Sequence, residues 1–453
     1  MKRRVLAAGC AAMVAAVSLA GCGGSGSEPE TPQEKNVSEN VTEKKEASAK
    51  KEIVLKVASR YSNDNPDENF YRKKVQEFSD LDNGIKIEMD NISTEADYFD
   101  KIRTSFANGD VPNVFLEYGG SRCLDYMEAD ALVDLRPYLE ENNKEWYNQF
   151  YESMWRETQY EGYDGIYAVP FKCYFVALYY NKEIFNEAGL EPPKSVEEMM
   201  DVCEKLLEKG IQPFQVGEKD AYRFGHFNNN LIIKTYGIEA VEKLASRELS
   251  YDSDEMKSTY QVIADMVAKG YLGKDLLATD STTENAVFEQ GKAAMHYDGT
   301  WYIANNLFGT EFYDKVGVVP FPYGDESCKN YAQGGSSDMF YVSKLNKSDE
   351  EIQASIEFLK WLTDPSYYQE LDQVAQTIQP VKFERTSKTE NPLLDEAIAI
   401  QSEITDMRTD VQNYDPESHM MDTVRSSLQS LAMGDTPEQC AQNIMDRMQE
   451  YKQ

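Results

Sequence analysis

Histidine, the side chain best placed to move a proton or hold a transition metal near neutral pH, occurs three times in the 453 residues, at His226, His296 and His419. None has a partner at ligand spacing, so local motifs assemble neither a zinc site nor a histidine-based triad. The chain has no Gly-x-Ser-x-Gly, no eight-residue phosphate loop and no dinucleotide fingerprint after a strand. Gly291-Lys292 lacks the upstream glycine and the following Ser or Thr that a phosphate loop requires. Beyond residue 22 the cysteines are Cys123, Cys173, Cys203, Cys328 and Cys440. They are odd in number and widely spaced, which suits small buried side chains, with one bridge as the alternative. The 79 Asp and Glu could supply the paired carboxylates of a secreted glycan hydrolase, but nothing marks a particular pair. The sequence therefore points away from an enzyme, a metal or a cofactor.

Aromatic residues are more informative: 29 Tyr, 19 Phe and 4 Trp, many in loops after strands. Aromatic faces lie well against the C–H faces of a pyranose ring, while carboxylates and amides hold its hydroxyls. The stretch from Phe288 to Trp301 shows this chemistry in sequence order. A helical end stops at Gly291, Ala293, Met295 and Tyr297 alternate with period two, and Asp298-Gly299-Thr300-Trp301 forms a turn. Such a turn can present the Asp298 carboxylate and the Trp301 ring to a ligand, as hydroxyl acceptor and ring platform if it faces a cleft, with Trp301 in the core as the plainer reading. His296 is assigned to structure.

Regular elements must hold these loops in place. Ile53, Leu55 and Val57 alternate as a strand that opens into Ser59-Arg60-Tyr61-Ser62-Asn63. A helix over 69–78, a strand at 85–89, a helix over 96–106 and a strand at 113–116 follow, ending in Glu117-Tyr118-Gly119-Gly120. Strand, helix, strand, helix, strand predicts an α/β lobe with parallel strands, whose ligands gather at the strands' carboxyl ends. Tyr61, Asn63, Glu117 and Tyr118 meet there. Further on, 173–180 is a near-continuous apolar run, 211–216 reads as a strand, and helices are expected over 196–209, 228–236 and 254–269. Ser195 and Glu198, and Ser348 and Glu351, are spaced as capping boxes. No repeat of ~20–50 residues is visible, which argues against solenoids and propellers.

The first residues read as an export signal: Lys2, Arg3 and Arg4, an apolar stretch over 5–20, then Leu19-Ala20-Gly21-Cys22. Its removal takes away three cations and no acid, moving the net charge from −33 to −36. Such a charge repels phosphate backbones, so nucleic acid is not an expected partner. Residues 22–50 are polar and read as a disordered tether.

Leu-Ala-Gly-Cys resembles the bacterial lipobox, which implies diacylglycerol on Cys22. Phe106-Ala-Asn-Gly-Asp-Val-Pro-Asn-Val-Phe115, Tyr167-Ala-Val-Pro-Phe171, the run from Tyr179 to Leu190, the stretch from Phe288 to Trp301 and Met433 to Gln439 follow in order. With them the chain resembles the maltose-binding-like family of extracellular solute-binding proteins that serve carbohydrate ABC importers. The resemblance implies a two-lobed periplasmic-binding-protein-like α/β fold, each lobe a mixed sheet flanked by helices and joined by a hinge. The first lobe would comprise 51–172 and 325–372, and the second 173–324 and 373–453, with hinge strands at 171–177 and 318–322. Tyr61, Asn63, Glu117 and Tyr118 would face the cleft from the first lobe, with Lys172 and Tyr174 by the hinge. Phe224, His226, Asp298 and Trp301 would come from the second lobe, with Gly335 near the entrance and Tyr414 as a further ligand-binding residue where the family varies greatly. The resemblance implies a monomer on the outer face of the bacterial cytoplasmic membrane, with a carbohydrate ligand, ABC permease partners and no catalysis. The alternatives are the glycan hydrolase and a sensing partner of a membrane receptor kinase.

Overall fold

Four strands of one sheet come first: β1 (Ile53–Ser59), β2 (Ile85–Asn91), β3 (Val114–Glu117) and β4 (Ala168–Pro170). The chain then crosses to a second sheet for β5 (Cys173–Asn181), β6 (Met295–Gly299), β7 (Val316–Pro320) and β8 (Tyr331–Ser336), returns for β9 (Met339–Val342), and adds β10 (Asp406–Arg408) to the second. This computed structural model describes residues 52–450 except 161, 376, 386–390 and 418. The expected signal peptide, tether and Cys22 lie outside the described residues.

In the first sheet, ordered β2-β1-β3-β9-β4, the first three strands are parallel and β9 runs against its neighbours. Parallel neighbours need crossovers, which the helices Pro66–Ser79 and Glu95–Asn108 provide. Asn65 caps the first by accepting from the Glu68 amide at 2.9 Å, and Gly109 closes the second with φ of 71°.

β5 is the spine of the second sheet. It pairs with β6 along one edge, and with β7 and then β8 along the other. Alternate side chains feed different cores, as strand geometry requires. Tyr174, Val176 and Leu178 enter one buried cluster, while Cys173, Phe175, Ala177 and Tyr179 enter another. Both faces are covered, which is why the sequence there is continuously apolar instead of alternating.

Several boundaries differ from expectation. Residues 211–216 form no strand; they run extended beside β6, donating and receiving only scattered bonds such as Ala294 N–H to Gln212 O at 2.9 Å. The helix expected from 228 begins at Arg223, so Phe224 and His226 are helical. The segment 325–372 divides, because β8 pairs with β5 and β10 in the second sheet. The return to the first sheet falls at Ser337–Asp338, not near Pro322, since β7 is also laddered to β5. At the other end, Val381 bridges Phe150 and packs in the first core, so the opening of 373–453 stays with the first lobe. The five cysteines beyond residue 22 are buried free thiols. Among the described residues no helix is long and apolar enough to cross a membrane.

Candidate functional site

A cavity of about 690 Å³ opens between the two sheets, lined from the first by residues beyond β1, β3 and β4 and from the second by β5, the loop after β6 and the helix Arg223–Tyr236. Its first wall is a lattice of matched charges and phenols. Arg60 donates to Glu95 at 2.8 Å, and the Tyr118 hydroxyl donates to the same carboxylate at 2.8 Å. The Lys172 ammonium pairs with Asp67 and lies 4.2 Å from the Tyr61 ring centre, while the Tyr61 hydroxyl donates to Asp338 at 2.5 Å. Burial, then the Asp338 charge, push the Tyr61 phenol well up, so it stays a donor.

The opposite wall is aromatic. Tyr174 and Trp301 tilt against each other at 47° with centres 5.0 Å apart, and His226 lies 6.1 Å from Trp301 and edge-on to Tyr222. Burial pushes the His226 imidazolium down to about 4, so the ring is neutral at pH 7. Next to it, Asp410 accepts from Asn229 at 2.7 Å, Gln333 at 3.1 Å and Arg425 at 3.2 Å. Burial alone would raise the Asp410 carboxyl, but the charges of Arg425 and His226 outweigh it and hold it below the usual range.

Behind this wall lies a closed ionic cluster. Fully buried Arg223 meets Glu284 at 2.5 Å and Asp298 at 3.0 Å, and donates to the Tyr297 carbonyl. His296 places Nδ1 3.2 Å from Glu284 and Nε2 3.6 Å from Asp298. Burial works against the His296 imidazolium, but its contacts with Asp298 and Glu284 outweigh that and raise it above the usual histidine value. Among the described residues no group of three or more His, Cys, Asp or Glu is arranged to hold a metal ion.

Residues 63–369 match the family model described as bacterial extracellular solute-binding protein. The chain belongs to this family. Similar proteins include an uncharacterized ABC transporter extracellular-binding protein of Pyrococcus horikoshii, 25% identical over 222 residues, which are 48% of each chain. A maltotriose-binding protein of Pyrococcus abyssi is 24% identical over 243 residues, 52% of this chain and 48% of that one. The chain thus spans about half the length of these two relatives. Among solved structures, a chitin oligosaccharide binding protein superimposes with a TM-score of 0.77 at 24% identity, covering 88% of this chain and 98% of that one. The fold is the two-lobed one of periplasmic sugar-binding proteins. Members of the family are solute-binding proteins outside the cytoplasm.

In this solute-binding protein seven of the expected site residues line the cavity: Tyr61, Asn63, Tyr118, Lys172, Tyr174, His226 and Trp301. Asn63 is engaged with Glu68, its side chain donating at 3.0 Å. The other five stand behind the wall. Glu117 is 2% exposed and accepts from the Tyr118 amide; burial pushes its carboxyl up to about 7. Phe224 points into the second core because the helix begins early and its period places Phe224, Phe227 and Leu231 on the buried stripe. Asp298, expected as a hydroxyl acceptor, is 3% exposed and spent on Arg223 and His296. Gly335 faces Thr409 and Glu157, and the Tyr414 hydroxyl donates to Glu157, so both brace the wall from outside the cavity.

The sequence reading missed Arg60, Tyr222 and Asp338, each a near neighbour of a residue it chose or of a crossing it misplaced. It also missed Arg122, on the turn just after β3, and Asp410 and Arg425, which reach the cavity through tertiary packing.

Proposed function

We propose that this protein captures a carbohydrate between its lobes and delivers it to the membrane permease of an ABC importer. The observation that carries this is the cavity's division of labour. Tyr174 and Trp301 offer an aromatic surface on one side, and the other presents carboxylates, amides and phenols already oriented by mutual hydrogen bonds. That is an apolar platform with placed polar groups, the arrangement that suits a pyranose. The names of the relatives, which speak of maltotriose and chitin oligosaccharide, support the same class. The protein does no chemistry on its ligand in this reading: Glu95, Asp67, Asp338 and Asp410 in the cavity are each engaged by an Arg, Lys or Tyr partner. One copy of the chain encloses the ligand, and a lipid on Cys22 keeps it beside the permease, outside the cytoplasm.

Thermal shift and calorimetry against mono- and oligosaccharides test the reading. At a concentration ~100 times the dissociation constant, a true ligand stabilises the protein by ~2.7 kcal/mol. Trp301→Ala should weaken that ligand about tenfold, ~1.4 kcal/mol, with the fold intact. Stabilisation by peptides or polyamines and by no saccharide would sink the proposal.

A further inference from the structure

Four cations line the cavity: Arg60, Lys172 and Arg425 each have a carboxylate partner, to Glu95, Asp67 and Asp410. Among the described residues Arg122 is the one cavity cation with no carboxylate within 4.0 Å. It is half-buried on the short turn Gly120–Cys123 after β3, with its guanidinium 5.2 Å from the Phe99 ring centre and 5.5 Å from that of Tyr118. Stacking of this kind fixes the plane of an arginine and leaves its N–H edge open, which is the edge that grips a carboxylate by two parallel bonds. The turn rests on the other lobe. Ser121 Oγ donates to the Gln412 carbonyl at 3.4 Å, and a side chain at Gly120 would meet Asn413. This brings Arg122 toward the Asp410–Arg425 pair, and Asp410 feels the charge of both arginines. On that second lobe Arg425 Nε is buried without a hydrogen-bond acceptor, and Asp410 Oδ1 already has two donors.

We infer that the ligand is an acidic saccharide, whose uronate carboxylate is received by Arg122 with Arg425 assisting from the second lobe. This rests on the carbohydrate reading above and adds the substrate's charge to it. The charge is limited to one. Asp67, Glu68, Glu95, Asp220, Asp338 and Asp410 share the cavity with these four cations, so acid already exceeds base by two; only a carboxylate held directly on the Arg122 guanidinium offsets that field, and a phosphate dianion meets twice the repulsion.

The test is calorimetry on the folded chain with glucuronate- and galacturonate-bearing di- and trisaccharides, each beside its neutral hexose counterpart and its hexose 6-phosphate. A uronate should bind at least tenfold more tightly than its neutral counterpart. Arg122→Gln should bring the two within about twofold at unchanged melting temperature, and Arg122→Lys should keep part of the preference. Neutral saccharides binding as tightly as uronates, a 6-phosphate binding more tightly, or a preference that survives in Arg122→Gln would each overturn the inference while leaving carbohydrate capture standing. If no saccharide of any charge binds and peptides or polyamines do, the carbohydrate reading falls and takes this inference with it.

Discussion

Replacing Asp298 with Asn separates two roles that a sequence cannot tell apart. As a hydroxyl acceptor in the cavity, Asp298 would matter to affinity; as one corner of the Arg223–Glu284–His296 cluster, it matters to stability. Its carboxylate is 3.0 Å from Arg223, worth ~5 kcal/mol of gross attraction at an effective dielectric constant of ~20. Burial works against the charge, yet Arg223 and His296 still hold the carboxyl down to about 2. Measured against an ordinary value near ~3.9, that depression corresponds to ~2–3 kcal/mol of net stabilisation at neutral pH. Breaking a buried pair costs ~3–5 kcal/mol, so ~3 kcal/mol is the consistent expectation. For about 400 described residues, unfolding entropy at ~2.1 cal/mol/K per residue turns this into a melting shift of roughly 3–4 °C. Because the folded carboxyl titrates low, the stabilisation is present above its unfolded value and is lost as pH falls toward 2. The gap between Asp298→Asn and the parent should therefore persist from pH 5 to 8 and close in strong acid. Differential scanning calorimetry reads the shift, and titration of the folded variant with ligand reads the affinity. An unchanged melting temperature with affinity down tenfold would refute the placement of Asp298 behind the wall.

Two further outcomes follow from the geometry. His226 is held neutral down to about 4, whereas an unfolded histidine titrates near ~6.5; between those values the unfolded chain binds more protons, so stability rises with pH and is lost as the pH is lowered from ~6.5 towards about 4. The slope is at most ~1.4 kcal/mol per pH unit, and His226→Gln should flatten it in denaturant titrations at pH 4.5–7. Gly120 has φ of 62°, and a Cβ there would lie 2.6 Å from the Asn413 carbonyl. Gly120→Val should wedge the two loops apart, leaving the ligand-saturated protein larger in radius of gyration by X-ray scattering than the parent; equal radii would show that the loops yield.

How much was legible depended on how local the cause was. The β1–β3 lobe was readable because alternating strands and helix stops are written within a few residues, as at Gly109; the Asn65 cap was missed, and the helix expected from 69 begins at Pro66. Of the seven expected residues that line the cavity, Tyr61, Asn63, Tyr118, Lys172 and Trp301 follow strand ends, Tyr174 lies within β5 and His226 lies in a helix. Phe224 and Asp298 were misjudged because an early helix start and a distant arginine decided their direction. No local pattern foretells that Arg223 will reach past Tyr297 to a carboxylate 75 positions on. The lobe boundary moved for a comparable reason: β8 contains Gly334, where a Cβ would lie 2.4 Å from the Tyr174 carbonyl, and that close approach is what lets the strand ladder against β5.

The contacts at the cavity rim say what a ligand must supply. Ser121 meets Gln412 through one long neutral hydrogen bond, and Arg156 pairs with Glu242 at 2.9 Å with both side chains about half exposed. A neutral bond contributes ~1 kcal/mol, an exposed pair ~0–1 kcal/mol and the part-buried Tyr414–Glu157 bond ~1.5–3 kcal/mol, so these three contacts together amount to ~2.5–5 kcal/mol. Moving such an equilibrium from 1:99 to 99:1 takes ~5.5 kcal/mol of differential binding. One sugar ring on Tyr174 and Trp301 offers ~0.5–1.5 kcal/mol beyond its buried area. The remainder asks for four or five hydroxyl contacts at ~0.5–1.5 kcal/mol each, or fewer if one is a carboxylate on Arg122 at ~1.5–3 kcal/mol. A pyranose carries about that many groups. On the carbohydrate reading proposed above, the contacts between the lobes leave the last few kcal/mol of closure to the ligand's own polar groups, and a ring lacking one or two of them is expected to fall short of closing the protein.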